Sequence, residues 1–353
     1  MSHPSRLDAL KDHMEREEIP VLLVLHPANR FYLSGFALHD GQCNESSGCL
    51  LIRTSGPDWL LTDSRFTEEA RRHWPAEFVH VHGMPRLEKI AEFITTLGIR
   101  DVWVETHAMC AEMYLELGKG VHLHPAPRMV ENLRTIKDPD ELAAIRASCA
   151  LNHRVYETIR PHLKPGVTEK DMAWMLEREF REHGAEALSF PPIVGFGPNG
   201  ALPHATPGED RLASDSPVLI DMGGRLHGYC SDQTRTWWIG GTPTDAFRRT
   251  LDLVQEAQRL AIARVAPGVS TDDLHATAKD YFSCHGVAEH FTHSLGHGIG
   301  LETHEAPGVG PIRPTILQPG MVITVEPGLY YPEWGGVRWE HMVVVTENGH
   351  DVL

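Results

Sequence analysis

Five residues in the second half of the chain, Asp221, Asp232, His297, Glu326 and Glu340, are of types that bind cations, and none sits where a solvated charge would be expected. Asp221 ends the apolar run Val218-Leu219-Ile220. Glu326 closes Met321-Val322-Ile323-Thr324-Val325, and Glu340 lies between Gly336-Val337-Arg338-Trp339 and Val343-Val344-Val345. Runs of that kind read as buried strands. A carboxylate removed from water is costly unless it is paired or bound to a cation. Four acids and one imidazole match two divalent metals, because oxygen-rich sites with some nitrogen suit Mn, Co or Zn. The first reading is therefore a binuclear metallohydrolase.

The residues around the acids bear on the same chemistry. Val218 through Thr236 reads as two antiparallel strands around a glycine-containing turn, an arrangement that brings Asp221 and Asp232 side by side on one face. Taken alone, the segment also admits an Asp-rich surface turn. Further on, His293, His297 and His304 lie among glycines in an otherwise apolar stretch. Glycine lets backbone approach a ligand closely, and imidazole is both a metal ligand and a proton shuttle. The chain has 23 histidines, most of which must be ordinary surface or core residues, so only this cluster and the isolated His204 are singled out.

Such a site needs a scaffold, and 353 residues give room for two domains, each with its own core. Acids outnumber bases 48 to 32, a formal charge of −16 that disfavours nucleic-acid or anionic-membrane partners. The six cysteines are scattered, without a Cys-x-x-Cys pair, as in a reducing compartment. The N-terminus shows no signal-peptide core, and no apolar run reaches the roughly 18 residues of a membrane span. The expectation is a cytoplasmic protein.

In the first third, Val21–Leu25, Cys49–Ile52, Trp59–Leu61, Phe78–Val81 and Val102–Val104 read as strands. Asp63–His73, Arg86–Leu97 and Met109–Leu117 read as helices, so the alternation predicts a small α/β domain over 1–130. A proline-rich stretch from His124 to Pro139 then precedes a long helix predicted over Asp140–His162, and 131–353 forms the second domain. That domain contains an internal echo. Pro165-Gly166-Val167 recurs as Pro267-Gly268-Val269, Asp171 as Asp273, Phe180 as Phe282 and His183-Gly184 as His285-Gly286, without a gap. In each copy a Pro-Gly turn leads to Thr168 or Ser270 at an N-cap with an aspartate three residues later, a capping box, and to a helix ending at His-Gly. The repeat predicts two similar halves facing each other across a central site.

With these residues in place, the chain resembles the pita-bread metallopeptidases. The resemblance is carried by Asp221, Asp232, His297 within Gly-His-Gly-Ile-Gly, Glu326 within Val-Glu-Pro-Gly-Leu-Tyr, and Glu340 within Val-Arg-Trp-Glu. Within that superfamily it is similar to the proline-specific branch, aminopeptidase P and prolidase, which has an additional N-terminal domain. The fold class implied is an α+β pita-bread catalytic domain with an internal pseudo-two-fold repeat, preceded by a smaller α/β domain of creatinase type. The resemblance implies that Asp232 and Glu340 bridge two metals, that Asp221 completes one shell, and that His297 and Glu326 complete the other. Glu326 would also handle the proton of the attacking water. His204, His293 and His304 would contact substrate and the tetrahedral intermediate, while Arg338 and Tyr330 would orient ligands from behind. Manganese is the first expectation for the metal, with cobalt or zinc as alternatives. The substrates implied are proline-containing peptides, and the assembly a homodimer.

One departure bears on specificity. Prolidases place an arginine shortly after the His-Glu pair, where it holds a dipeptide's carboxylate; here that place falls on Gly308, and Arg313 comes five residues late. The expectation is therefore release of an N-terminal residue from longer Xaa-Pro peptides, as in aminopeptidase P, with Xaa-Pro dipeptidase as the alternative. The polar segment His39–Gly48 could supply a contact to a neighbouring subunit's cleft or be a solvated loop. Metal-free creatinase-like hydrolases and ligand-binding non-enzymes share the fold, and the intact set of five argues against both.

Overall fold

The computed structural model describes residues 3–38 and 47–353; most of the His39–Gly48 segment lies outside the described residues. Contacts divide the chain into Met1–Arg134 and Thr135–Leu353.

The first unit runs α1 (His3–Arg16), β1 (Val21–Val24), α2 (Pro27–Ser34), β2 (Cys49–Arg53), β3 (Trp59–Thr62), α3 (Thr67–His73), β4 (Val79–Val81), α4 (Arg86–Thr96), β5 (Asp101–Val104), α5 (Ala111–Leu117) and β6 (His122–Pro125), and closes with α6 (Met129–Thr135). Its six strands form one sheet in the order β4-β3-β2-β1-β5-β6. Leu23, Leu51, Leu61, Val102 and Val104 of the sheet pack with Ile90 and Ile94 of α4. Four elements lie outside the sequence reading, namely α1, α2, β6 and α6. In α1 the buried stripe is only Arg6, Leu10 and Met14, and Arg6 enters it by lying over the Tyr32 ring at 4.2 Å. β6 carries Pro125 at the sheet edge, where a missing N–H costs no ladder bond. The boundary read near residue 130 is corrected slightly: it falls inside α6, where Met129, Val130 and Arg134 are buried and Arg134 Nη1 donates to Asn29 Oδ1 at 2.7 Å.

The second unit opens on α7 (Pro139–Ile159), started by a capping box between Asp138 and Glu141 with proline in the first turn. It continues through α8 (Glu169–Glu182), β7 (Ala187–Leu188), β8 (Ile193–Phe196), β9 (Ser216–Met222), β10 (Gly224–Leu226), β11 (Tyr229–Cys230) and β12 (Gln233–Ile239). Then come α9 (Asp245–Ile262), α10 (Thr271–Cys284), β13 (Gly296–Gly298), β14 (Glu305–Val309), β15 (Val322–Val325), β16 (Gly328–Tyr331), β17 (Gly335–Arg338), β18 (His341–Thr346) and β19 (Gly349–Val352). Two cores reflect the internal repeat. One joins Leu151, Val155 and Ile159 of α7 and Met172, Leu176 and Phe180 of α8 to Val218, Ile220 and Met222 of β9. The other joins Val254, Ala257 and Ala261 of α9 and Leu274, Ala278 and Phe282 of α10 to Ile323, Val325, Val343 and Val345.

Matched details run through both halves. The Gly166 N–H bonds Leu212 O at 2.8 Å and the Gly268 N–H bonds Leu317 O at 2.9 Å. The rings of His183 and His285, which end α8 and α10, bond the carbonyls of Glu179 and Tyr281 at 2.8 and 2.9 Å. The caps differ. Thr168 Oγ1 accepts the Asp171 N–H at 3.0 Å as expected, but the Ser270 side chain makes no cap bond and its hydroxyl instead bonds the Asp272 carboxylate. The Ser270 hydroxyl, donating to a carboxylate two residues away, is turned to that acid instead of toward the helix N–H groups.

Candidate metal centre and cleft

Asp221 lies near the end of β9, directly opposite Thr234 of β12. Asp232 comes two residues before Thr234, and side chains two apart in an extended chain share a face, so both acids lie on the same side. The uninterrupted hairpin expected between them is not what forms. β10 and β11 pair with each other and with β7 in a separate sheet. The switch occurs at Gly223, where an added Cβ would sit 2.0 Å from Ser231 O. The excursion returns the chain to the first sheet just after Asp232.

The other ligand candidates come from the second half. β15 and β18 pair with Val325 opposite His341, so Glu326 and Glu340 leave the same end of that ladder. His297 is the middle residue of β13. Its flanking glycines are required by close packing, because a Cβ at Gly296 would lie 2.1 Å from Thr324 O and one at Gly298 2.3 Å from Ala306 O. The Gly-His-Gly pattern is thus what lets three strands close around one imidazole.

Ligand-capable oxygens of Asp221, Asp232 and Glu340 all lie within 4.8 Å of one another, and all three residues are buried. Asp221 Oδ2 accepts from Arg338 Nη2 at 2.7 Å, and Glu340 Oε2 from Thr234 Oγ1 at 2.8 Å. Their other oxygens, Asp221 Oδ1 and Glu340 Oε1, are buried without a hydrogen-bond partner, as is Asp232 Oδ1. Burial first, and then the charges of Glu340 and Asp221, push the Asp232 carboxyl well above its usual range. Glu340 is raised in the same way by burial, then by Glu326 and Asp221. Burial would also raise Glu326, but the His297 hydrogen bond and charge bring it down to about 2. His297 Nε2 stands 3.3 Å from Glu326 Oε1 and 3.6 Å from Asp232 Oδ2. Its Nδ1 meets Gly298 O at 3.1 Å, and since a carbonyl only accepts, Nδ1 carries a proton. Burial works against a charge on this imidazole, but the Glu326 hydrogen bond and charge raise it, so in metal-free protein Nε2 also holds a proton toward the acids, and a cation would take that proton's place. Orphaned carboxylate oxygens beside a correctly oriented imidazole are what a divalent cation would satisfy.

Asp221, Asp232, His297 and Glu326 line a cleft of roughly 520 Å³, whose apolar side is Phe190, Pro191, Pro192 and Ile193. His204, His293 and His304 line it as well, while Tyr330, Glu340, Gly308 and Arg313 are not among its lining residues. The His304 ring lies 4.2 Å from that of His297. Burial lowers both His293 and His304 from the ordinary imidazole value. Tyr330 Oη accepts from Arg338 Nη1 at 2.9 Å and meets His293 Nε2 at 2.9 Å, so one chain of contacts runs from Asp221 through Arg338 and Tyr330 to a cleft histidine. Gly308 pairs with His297 across β13 and β14 and is exposed. Arg313 sits on an exposed bend with φ +56 and does not line the cleft.

Several supporting residues escaped the sequence reading. Thr234 bonds Glu340 and also accepts from Arg338 Nε at 3.1 Å, and Thr324 Oγ1 donates to Glu326 Oε1 at 3.1 Å. Both could have been found by period two, since each lies two residues from a ligand candidate on a strand. The Gln258 amide of α9 donates to Val325 O at 2.8 Å and to Trp339 O at 3.0 Å, the carbonyls just before Glu326 and Glu340. Its signal was a polar residue on the apolar stripe formed by Val254, Ala257 and Ala261. Lys137 Nζ meets Glu305 Oε1 at 2.7 Å in a buried pair next to His304.

Residues 143–347 match metallopeptidase family M24, and residues 6–136 match the creatinase/prolidase N-terminal domain. The uncharacterized peptidase YqhT of Bacillus subtilis is 32% identical over 351 residues, 99% of this chain and 97% of that protein. Among solved structures, a Xaa-Pro dipeptidase from Bacillus anthracis aligns with a TM-score of 0.92 at 31% identity, over 99% of this chain and 97% of that one. A prolidase from Pyrococcus horikoshii OT3 aligns with a TM-score of 0.89 at 29% identity, over 99% and 97%. The fold class expected from the sequence, a creatinase-type domain before a pita-bread domain, is the one found.

Proposed function

The chain belongs to metallopeptidase family M24, and from that premise we propose a metal-dependent exopeptidase that hydrolyses the bond between an N-terminal residue and proline. The observation that carries it is the buried acid cluster, with orphaned oxygens on Asp221, Asp232 and Glu340, bordering a cleft that three further histidines line. Family membership implies divalent metal ions. In this reading Asp232 and Glu340 would hold both metals, Asp221 would complete the shell of one, and His297 with Glu326 that of the other. Manganese is favoured because the donor set is oxygen-rich with a single nitrogen. Two bound dications would acidify a water between them and polarise the scissile carbonyl.

The chain's own residues do the rest. Glu326 would take the water's proton, and Thr324 Oγ1, donating to Oε1, holds the carboxylate in place. His293, held by Tyr330 at 2.9 Å, and His304 are lowered enough to act as neutral hydrogen-bonding groups toward the developing tetrahedral centre. The Phe190–Ile193 wall suits a proline ring, which has no N–H to satisfy.

The sequence reading put aminopeptidase P first and prolidase second; the similar structures, named as dipeptidase and prolidase, favour the reverse order. Against that order stands the cleft's lack of an unengaged arginine or lysine, since Arg338, the one such residue lining it among the described residues, already binds Asp221 at 2.7 Å. A product assay comparing an Xaa-Pro dipeptide with an Xaa-Pro-Y tripeptide, run with Mn²⁺ and with chelator, tests both levels. Metal-dependent release of the first residue supports the peptidase, and no hydrolysis of either peptide overturns it. The resemblance extends to a homodimer. A cytoplasmic setting rests on Cys49, Cys110, Cys149, Cys230 and Cys284, all free thiols.

A further inference from the structure

His204 and its neighbours Pro203 and Pro207 reach the cleft on a loop that leaves β8 at Phe196 and returns at Gly208. The loop opens on a 3-10 turn over Gly197–Ala201 that packs on Gly195 and Gly336; beyond it the Leu202 N–H bonds Asn199 O at 3.0 Å and the Ala205 N–H bonds Leu202 O at 3.1 Å. Its two ends meet on one side chain. Glu169, the first residue of α8, is 0% exposed. Its Oε1 accepts the Phe196 N–H at 2.9 Å and the Asn199 amide at 3.0 Å, and its Oε2 accepts the Gly208 N–H at 2.9 Å. Three donors converge there, a pattern that a carboxylate satisfies and a primary amide cannot. The N-terminal end of α8 adds favourable field at that position.

The internal repeat supplies a comparison within the same chain. The residue equivalent to Glu169 in the second copy is Thr271, whose hydroxyl accepts a single bond, from the Thr315 N–H at 3.1 Å. The loop before Thr315, with exposed Ile312 and Arg313, does not line the cleft. The second half also sends residues into the cleft, Thr303 and His304 between β13 and β14, but Thr271 makes no bond to that segment that would parallel the three Glu169 makes. At the cleft end, Arg338 Nη1 bonds Pro203 O at 3.1 Å, so the loop is held at its feet by Glu169 and at its tip by the arginine that binds Asp221.

We propose that Glu169 is a positioning residue for substrate binding: it clamps both feet of the 196–208 loop and thereby presents His204 to the peptide. The assignment rests on the peptidase reading for its kinetic consequences and on geometry alone for the clamp. Glu169→Gln turns an amide N–H toward an N–H donor, and KM for an Xaa-Pro substrate should rise by roughly tenfold while kcat changes by less than about twofold. Bound manganese per chain should stay at the wild-type level. In a His204→Ala background the same change should add little, because residues acting through one another are not additive. Thr271→Val should lower the unfolding temperature without moving KM. If Glu169→Gln fails to fold, Asn199→Ala removes one of the three donors and should still raise KM by about twofold. Amide hydrogen exchange at Phe196 and Gly208, measured on the full chain, should quicken in Glu169→Gln or Asn199→Ala whether or not the protein cleaves anything. Unchanged exchange overturns the clamp. Unchanged KM, full additivity with His204→Ala, or an equal KM rise in Thr271→Val overturns the positioning role. A wild type that cleaves no Xaa-Pro peptide overturns the peptidase reading instead, and the exchange measurement then decides the clamp.

Discussion

Asp232 and Glu340 are buried close together, each with an oxygen that nothing in the protein satisfies. In metal-free protein both carboxyls are held above their usual values, 3.8 and 4.5, first by burial and then by neighbouring carboxylates. A carboxyl raised by folding contributes stability that is present below its unfolded value and lost as pH rises toward its folded one. Metal-free protein should therefore lose thermal stability as the pH climbs from the acid range through neutrality, and Mn²⁺ should flatten that slope. A flat profile with chelator present would mean that the acids are solvated and need no cation. The same residues make a second prediction. Asp232→Asn or Glu340→Gln should abolish both metal retention and hydrolysis, because in the proposed arrangement each would remove a charge that both metals need. His293→Ala, which removes one hydrogen-bonding group, should lower kcat by about a hundredfold and leave bound metal in place. Near-normal metal content in the Asp232 variant would remove it from the bridging position.

The elements that present these residues were legible to different depths. Strands ending in Asp221 and Glu326 announced themselves as apolar runs closed by an acid, and the Pro-Gly echo located α8 and α10 in both halves. The sheet switch at Gly223 was not legible, because it arises from the approach of Ser231 O, a contact between segments rather than a local preference. β6 was hidden by its proline, and α1 by a buried stripe that includes an arginine. Gln258 went unread for a similar reason: its role depends on two carbonyls brought together by the fold, one at the end of β15 and one in the chain before β18. One side-chain amide there links the backbone just ahead of Glu326 to that just ahead of Glu340. Gln258→Leu fills the volume but takes this donor from both carbonyls, which should cost about 1–3 kcal/mol of stability. It should also weaken manganese binding in a calorimetric titration, since the two carboxylates lose their common brace. Normal affinity with lowered stability would confine Gln258 to the fold.

For the molecule as a whole, the open choice is substrate length, and it turns on where a dipeptide's carboxylate could be held. That carboxylate lies just beyond the scissile bond and in a partly dry cleft calls for a cation such as arginine. Arg338 is taken by Asp221, and Arg313, on an exposed bend, does not line the cleft. Gly308 is different. It faces His297 across β13 and β14, and cross-strand partners share a face, so a side chain there would project on the imidazole's side. No atom lies within 4 Å of where its Cβ would be, and its backbone is outside the left-handed region, so a side chain can start there without clash or backbone strain. Gly308→Arg should raise the ratio of kcat/KM for an Xaa-Pro dipeptide over an Xaa-Pro-Y tripeptide by roughly tenfold, the effect of one charge-assisted bond. In wild type the tripeptide should be cleaved at least as well as the dipeptide. A wild-type enzyme confined to dipeptides, with a ratio that Gly308→Arg does not move, would place the carboxylate's partner outside this cleft wall and take Gly308 out of specificity altogether.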